Sequence, residues 1–199
     1  MHAADTPAGD RPGSAGPVPP GPGQRPLTRV LFLDVDGTLT DGSIILGIAD
    51  DIRAFHAHDG VGIRLALLAG IRVVFMSARE SAPVRRRALE LGADPMLAVG
   101  DKDRAVREWC ERHGVTPAQA AFVGDDLQDI PGMKAVAHAF AVGDAVDEVK
   151  AVATHVCTRA GGRGAVREAI VWLLRAEGRY EATLEAFLAR RDFVIKEAR

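Results

Sequence analysis

A three-layer α/β sandwich of Rossmann-like type, with helices on both faces of a central parallel sheet, is the fold class this sequence predicts. From Arg29 onward, short apolar runs rich in Val, Ile and Phe alternate with longer stretches of helical periodicity, the order that crossover helices around a parallel sheet require. The first of these runs is almost continuously apolar, as a strand covered on both faces must be. Three of the runs end in carboxylates, hydroxyls or an arginine, and strand tips of this kind line the reactive crevice of open parallel sheets.

The totals set the frame. A chain of 199 residues with 47% hydrophobic and 26% charged residues can bury one real core, so one domain is expected. A formal charge of −2 offers no electrostatic reason for nucleic acid or an anionic membrane as the main partner, and points instead to a small molecule. The most apolar run, residues 61–76, is interrupted by Arg64, Gly70 and Arg72, short of the roughly 18 uninterrupted residues of a membrane helix. The N-terminus lacks an apolar signal core. Cys110 and Cys157 form no CxxC or other metal-ligand pattern, which suits idle thiols in a reducing cytoplasm.

In chain order, residues 1–26 are dominated by Pro, Gly, Ala and Ser and read as a disordered tail outside the fold. RVLFLD (29–34) is the central strand. Residues 42–56 read as a β-hairpin with its turn near 47–51, a flap over 40–58 in place of a cap domain. Further strands are expected at 71–76, 95–99, 120–124, 138–142 and 154–158. Helices are expected at 60–69, 82–91, 102–113 and 146–152, with Gly70 and Gly92 placed as helix C-terminal glycines. A helix from 164 through 174 and another from about Tyr180 follow, so the organisation is a domain over 27–178 and a C-terminal helical extension over 179–199. GGRG (161–164) lacks the GxxxxGK[ST] spacing of a phosphate loop and reads as a backbone turn before a helix.

The strand tips carry the chemistry. Asp34 and Asp36, two apart at a strand end, can both reach one site, and Gly37 lets the backbone turn sharply beside a ligand. Ser77 and Arg79 end a second strand, Asp125 and Asp126 a third, and Lys102 opens a helix. Singly, such Asp-Gly and Gly-Asp pairs are turn formers and helix caps. Together and in order, they crowd carboxylates that repel unless a cation is present, and an all-oxygen site of this kind favours magnesium. His56 and His58, two apart, would share a strand face, but no further Cys or His ligand accompanies them.

LFLDVDGTLTDG (31–42) resembles the first motif of the haloacid dehalogenase superfamily, and Ser77, Lys102 and GDDLQD (124–129) match its second, third and fourth motifs in order. The resemblance implies an aspartyl-phosphate on Asp34, acid/base work by Asp36, phosphoryl binding by Ser77 and Lys102, and Mg2+ held by Asp34, the backbone carbonyl of Asp36, and Asp125, with Asp126 and Asp129 in support. From about Arg29 to Leu188 the chain is most similar to the 3-deoxy-D-manno-octulosonate 8-phosphate phosphatase family, sharing TDGSI (40–44), AFHAHDGVGIR (54–64), VGDDLQDIP (123–131) and AGGRGAVREAI (160–170). That likeness implies a homotetramer of lipopolysaccharide precursor synthesis acting on a small phosphorylated sugar acid, with His56, His58, Asp59, Gly60, Arg64, Arg79 and Arg87 at the substrate. A flap too small to enclose a substrate alone, with apolar Ile44, Ile45 and Leu46, agrees with a homo-oligomer. Where the family usually has Arg, this chain has His58; it also has Ser77-Ala78 for Thr-Gly and Gly100-Asp101 for Ser-Asn. A nonulosonate 9-phosphate is the second substrate to weigh, and an accessory subunit of a phenylphosphate-type carboxylase complex the reading from another class.

Overall fold

The first strand, β1 (Val30–Asp34), is buried at every position, which a central strand covered on both faces requires. In the computed structural model, residues 26–46 and 51–190 are described; all but the last residue of the expected tail over 1–26, most of the hairpin turn, and residues 191–199 of the expected C-terminal extension lie outside them. Strands β4 (Arg72–Met76), β5 (Asp94–Met96), β6 (Ala120–Gly124), β7 (His138–Ala141) and β8 (His155–Val156) join β1 in a parallel sheet of order β5-β4-β1-β6-β7-β8. The chain winds from β1 outward to β4 and β5, then returns to β6 beside β1 and proceeds the other way. The order therefore reverses at β1 and β6, and the crevice at their carboxyl ends is where such sheets hold ligands.

Right-handed crossovers place helices from the two windings on opposite faces. On one face, α1 (Ala57–Leu68) packs with α2 (Ala82–Leu91), α6 (Ala165–Ala176) and α7 (Tyr180–Ala189). On the other, α3 (Lys102–Arg112), α4 (Ile130–Lys134) and α5 (Asp147–Val152) follow one another. Phe32, Phe75, Phe122 and Phe140, one from each of the four central strands, are fully buried between these layers.

Local signals set several boundaries. Ser81 caps α2, accepting from Val84 N at 3.4 Å, with Pro83 in the first turn, and Gly92 ends the helix at φ 81°. Asp101 caps α3, accepting from Arg104 N at 3.0 Å, which makes Lys102 its first residue.

Several elements depart from the sequence reading. β5 ends at Met96 because the chain turns through Ala98 in the left-handed region (φ 58°), where no strand can continue. α1 starts at Ala57, so His56 and His58 do not share a strand face; His56 is the N-cap and its Nδ1 accepts from His58 N at 3.3 Å. The hairpin is reduced, among the described residues, to β2 (Ile45–Leu46) and β3 (Asp51–Ile52), paired antiparallel. The short α4 was not anticipated, since Pro131 and Gly132 break helical periodicity, yet Pro at the first turn is tolerated. Through Arg190 the C-terminal segment is joined to the core: Tyr180 and Phe187 pack against it, and Arg179 donates to Thr28 O at 3.2 Å and to Ala69 O. No helix among the described residues is long and apolar enough to cross a membrane.

Candidate active site

Asp34 at the tip of β1 is 1% exposed, and Lys102 at the head of α3 reaches across to it. Lys102 Nζ lies 2.6 Å from Asp34 Oδ1 and 2.5 Å from Asp129 Oδ1. The other oxygen of Asp129 accepts from the backbone N–H of Asp125 at 2.9 Å and of Asp126 at 3.3 Å, which holds the turn after β6 closed. Asp125 Oδ1 accepts from Thr38 Oγ1 at 3.0 Å. Asp34, Asp125 and Asp129 each offer an oxygen within 4.8 Å of the others.

One ammonium against three carboxylates leaves the cluster negative. Burial, and then Asp129, raise the Asp34 pKa well above the usual carboxylate range, with Lys102 pulling the other way. Burial and Asp129 push Asp125 up to about 6. Burial alone would lower the Lys102 pKa, but the two carboxylates beside it raise it. Asp34 Oδ2 is buried with no hydrogen-bond partner among the described residues. A Cβ at Gly37, whose φ is 99°, would fall 2.0 Å from Asp125 Oδ2, so only glycine lets the turn close on that carboxylate. Surplus negative charge, an orphaned buried oxygen and an all-oxygen donor set fit a hard divalent cation. The oxygens of Asp129 are already engaged, so Asp34 and Asp125 hold the free ones.

Asp36, half-buried, lies two residues beyond the end of β1. Arg53 Nε stands 2.9 Å from Asp36 Oδ1, and Arg53 Nη2 stands 2.9 Å from Asp51 Oδ2. These are ion-pair distances, but the N–H directions miss the oxygens, so the buried guanidinium acts through charge rather than through aligned bonds. Ser81 Oγ donates to Asp51 at 3.2 Å, tying the flap to the head of α2. Arg53 was missed in the sequence; an arginine two residues after the Asp50-Asp51 pair in a flap was the available signal.

Ser77, buried at the tip of β4, neighbours β1 through the Asp34–Met76 register, and its Oγ accepts from Arg79 N at 3.1 Å. His56, Asp59, Gly60 and Arg87 line one recess together with Phe55. The His56 and His58 rings meet edge to face at 4.9 Å, and His58 is exposed. A Cβ at Gly60 would lie 2.8 Å from Arg87 Nη2, and Arg87 pairs with Glu90 at 3.0 Å. Arg64, half-buried on α1, and exposed Arg79 stand outside that recess. Asp59 is 1% exposed and turns inward: its oxygens accept from Gly164 N at 3.2 Å and Arg167 N at 2.8 Å, at the start of α6.

A second group, His155, Cys157 and Glu168, brings its polar atoms within 4.8 Å of one another. Its carboxylate is already engaged by Thr158 N at 2.8 Å and Arg159 N at 3.0 Å, and burial pushes the Cys157 thiol up to about 12. The backbone donors thus satisfy this carboxylate from within the fold.

Residues 96–170, the stretch that carries Lys102, Asp125 and Asp129, match the haloacid dehalogenase-like hydrolase family, and this is the class of protein that fold and site define. The chain is 37% identical over 171 residues to the 3-deoxy-D-manno-octulosonate 8-phosphate phosphatase KdsC of Haemophilus influenzae, covering 83% of this chain and 95% of that protein. It is 39% identical over 155 residues to the KdsC of Escherichia coli K12, covering 77% and 82%. A crystal structure of the Moraxella catarrhalis octulosonate phosphatase in complex with magnesium, phosphate and KDO superimposes with a TM-score of 0.77 at 31% identity, covering 80% of this chain and 93% of that one. The chain belongs to the 3-deoxy-D-manno-octulosonate 8-phosphate phosphatase family of haloacid dehalogenase-like hydrolases, and it is a phosphatase. These likenesses lend no support to the nonulosonate 9-phosphate or carboxylase-subunit readings.

Proposed function

We propose that this chain hydrolyses 3-deoxy-D-manno-octulosonate 8-phosphate by phosphoryl transfer to Asp34, with magnesium as cofactor. The reading is carried by one observation, the buried Asp34 held by Lys102 beside Asp125 at the reversal point of the sheet. The relatives at 37% and 39% identity support the substrate.

Asp34 attacks phosphorus in line while the bond to the sugar oxygen breaks, and Asp36 gives that oxygen its proton. Asp36 then takes a proton from water, the water oxygen attacks the aspartyl-phosphate, and inorganic phosphate leaves with Asp34 restored. Ser77 donates to the transferring oxygens and Lys102 neutralises their charge. Asp34, Asp125 and the backbone carbonyl of Asp36 would hold magnesium, which when bound adds the positive charge that lets anionic carboxylate and anionic phosphate meet. His56, His58, Gly60, Arg64, Arg79 and Arg87 meet the sugar acid, His58 supplying a titratable contact in place of a fixed charge. Asp59 stands in that segment too. A phosphatase domain over 27–178, a C-terminal extension over 179–199, a cytoplasmic location and a homotetramer complete the reading.

Phosphate release from a panel of sugar-acid phosphates, with and without magnesium, tests it. The octulosonate 8-phosphate should give the highest kcat/KM, and Asp34→Asn should lower turnover at least ~1000-fold while far-ultraviolet circular dichroism stays unchanged. An Asp34→Asn variant that keeps substantial activity removes Asp34 from the nucleophile's role; a different best substrate leaves the chemistry standing and replaces the substrate.

A further inference from the structure

The GGRG segment and Asp59 have a shared geometry that substrate contact does not explain. The turn over residues 36–41 is pressed between two walls. On one side, Thr38 Oγ1 donates to Asp125, and Gly37 admits the Asp125 carboxylate only because it has no Cβ. On the other side lies the loop 160–164. A Cβ on Gly161 would fall 1.7 Å from Gly37 O, and one on Gly162 would fall 2.5 Å from Asp41 N. Gly162 N donates to Thr38 O at 3.0 Å, and Arg163 Nη2 meets Asp41 Oδ2 at 3.2 Å.

The loop is itself fixed from behind. Gly161 N donates to Asp144 Oδ1 at 2.8 Å. Gly164, the N-cap of α6, has no side chain to satisfy the first amides of the helix, and Asp59 supplies the missing acceptor from α1, more than a hundred residues away. The head of α6 also favours a negative charge. Gly62 lets α1 and α6 touch, since a Cβ there would lie 2.8 Å from Arg167 Cα.

Resting on the reading of Asp34 and Asp125 as the reactive and metal-holding groups, we propose that Asp59, Gly161 and Gly162 are positioning residues: Asp59 anchors α6, and the two glycines carry that anchorage to the turn that sets Thr38 and Asp125. A shift of this turn displaces Asp36 and its backbone carbonyl directly and disturbs Asp125 through Thr38. Asp59 thereby acts on the phosphoryl chemistry and not on the sugar.

The test compares Asp59→Asn and Gly161→Ala with Gly178→Ala, a left-handed glycine (φ 66°) with nothing within 4 Å of its would-be Cβ. Each variant is assayed on p-nitrophenyl phosphate and on the sugar-acid phosphate, its Mg2+ affinity is measured by calorimetry without substrate, and its Tm is recorded. Displacing a reacting group by about 1 Å can cost ~100-fold, so Asp59→Asn and Gly161→Ala should lose at least ~10-fold in kcat on both esters, with KM within about 3-fold and Mg2+ binding weakened. Gly178→Ala should lose Tm alone. A rise in sugar-acid KM with kcat on p-nitrophenyl phosphate intact would make Asp59 a substrate contact and overturn the proposal, as would wild-type Mg2+ affinity and kcat in Gly161→Ala. If Gly161→Ala does not fold, Asp59→Asn decides. A wild-type protein that turns over neither ester sinks the functional reading, and the calorimetry then decides for or against the clamp by itself.

Discussion

At the scale of single residues, charge balance sets what the buried groups do. Lys102 is tolerated almost without exposure because Asp34 and Asp129 lie within 2.6 Å of it, and removing either partner would leave an uncompensated charge in the interior. His155 shows the opposite balance. It stacks on Trp172 at 5.0 Å, and burial lowers its pKa below 6.5, with Glu168 pulling the other way. A base whose folded pKa lies below its unfolded one favours the unfolded state once protonated. Its contribution to stability is therefore complete above about 6.5 and is lost as pH falls through the lower folded value. His155→Phe keeps the stacked ring and removes the titration. Urea unfolding from pH 7.5 down to pH 5 should show the wild type losing stability relative to that variant, and a constant difference would count against the assignment.

At the scale of elements, caps and flap are joined. Ser81 holds the first turn of α2 and also donates to Asp51, whose neighbour in the ion network is Arg53, which in turn faces Asp36. The flap is thus tied to the head of α2 through the cap and to the turn after β1 through Arg53. Ser81→Ala should cost ~1 kcal/mol, a fall in Tm of about 2–4 °C for a chain of this size. It should also speed amide exchange in β3 more than in β1, as hydrogen exchange with mass spectrometry reads; equal protection in β3 would show that the flap does not depend on the cap. The reading of 42–56 as a hairpin caught the element but not its tether. Hairpin signals are local, whereas Asp51 and Ser81 are thirty residues apart.

For the whole molecule, the flap is the exposed apolar feature above the site. Ile45 and Ile52 are each 56% exposed and face one another across β2 and β3. A pair this open on a flap too small to close a crevice suits burial against another copy, in keeping with the proposed homotetramer. Ile45→Asp with Ile52→Asp should shift the protein from tetramer to smaller species in light scattering, with Tm of the remaining protomer little changed. A wild-type monomer, or a double variant that stays tetrameric, excludes this surface as the interface.

The sequence alone determined the alternation of strands and helices, the central place of β1 and the gathering of Asp34, Lys102 and Asp125 at the strand tips, while the strand order came from the structure. Apolar runs, caps and strand-tip carboxylates are signals written within a few residues of where they act. Tertiary structure decided which carboxylate of GDDLQD faces inward: Asp129 takes Lys102, while Asp126 is exposed and caps its own turn. It also decided that Arg53 meets Asp36, that His56 caps a helix rather than extending a strand, and that Asp59 holds α6. These pairings join residues up to 108 positions apart, or depend on which way a turn faces once the layers pack, and sequence spacing carries neither piece of information.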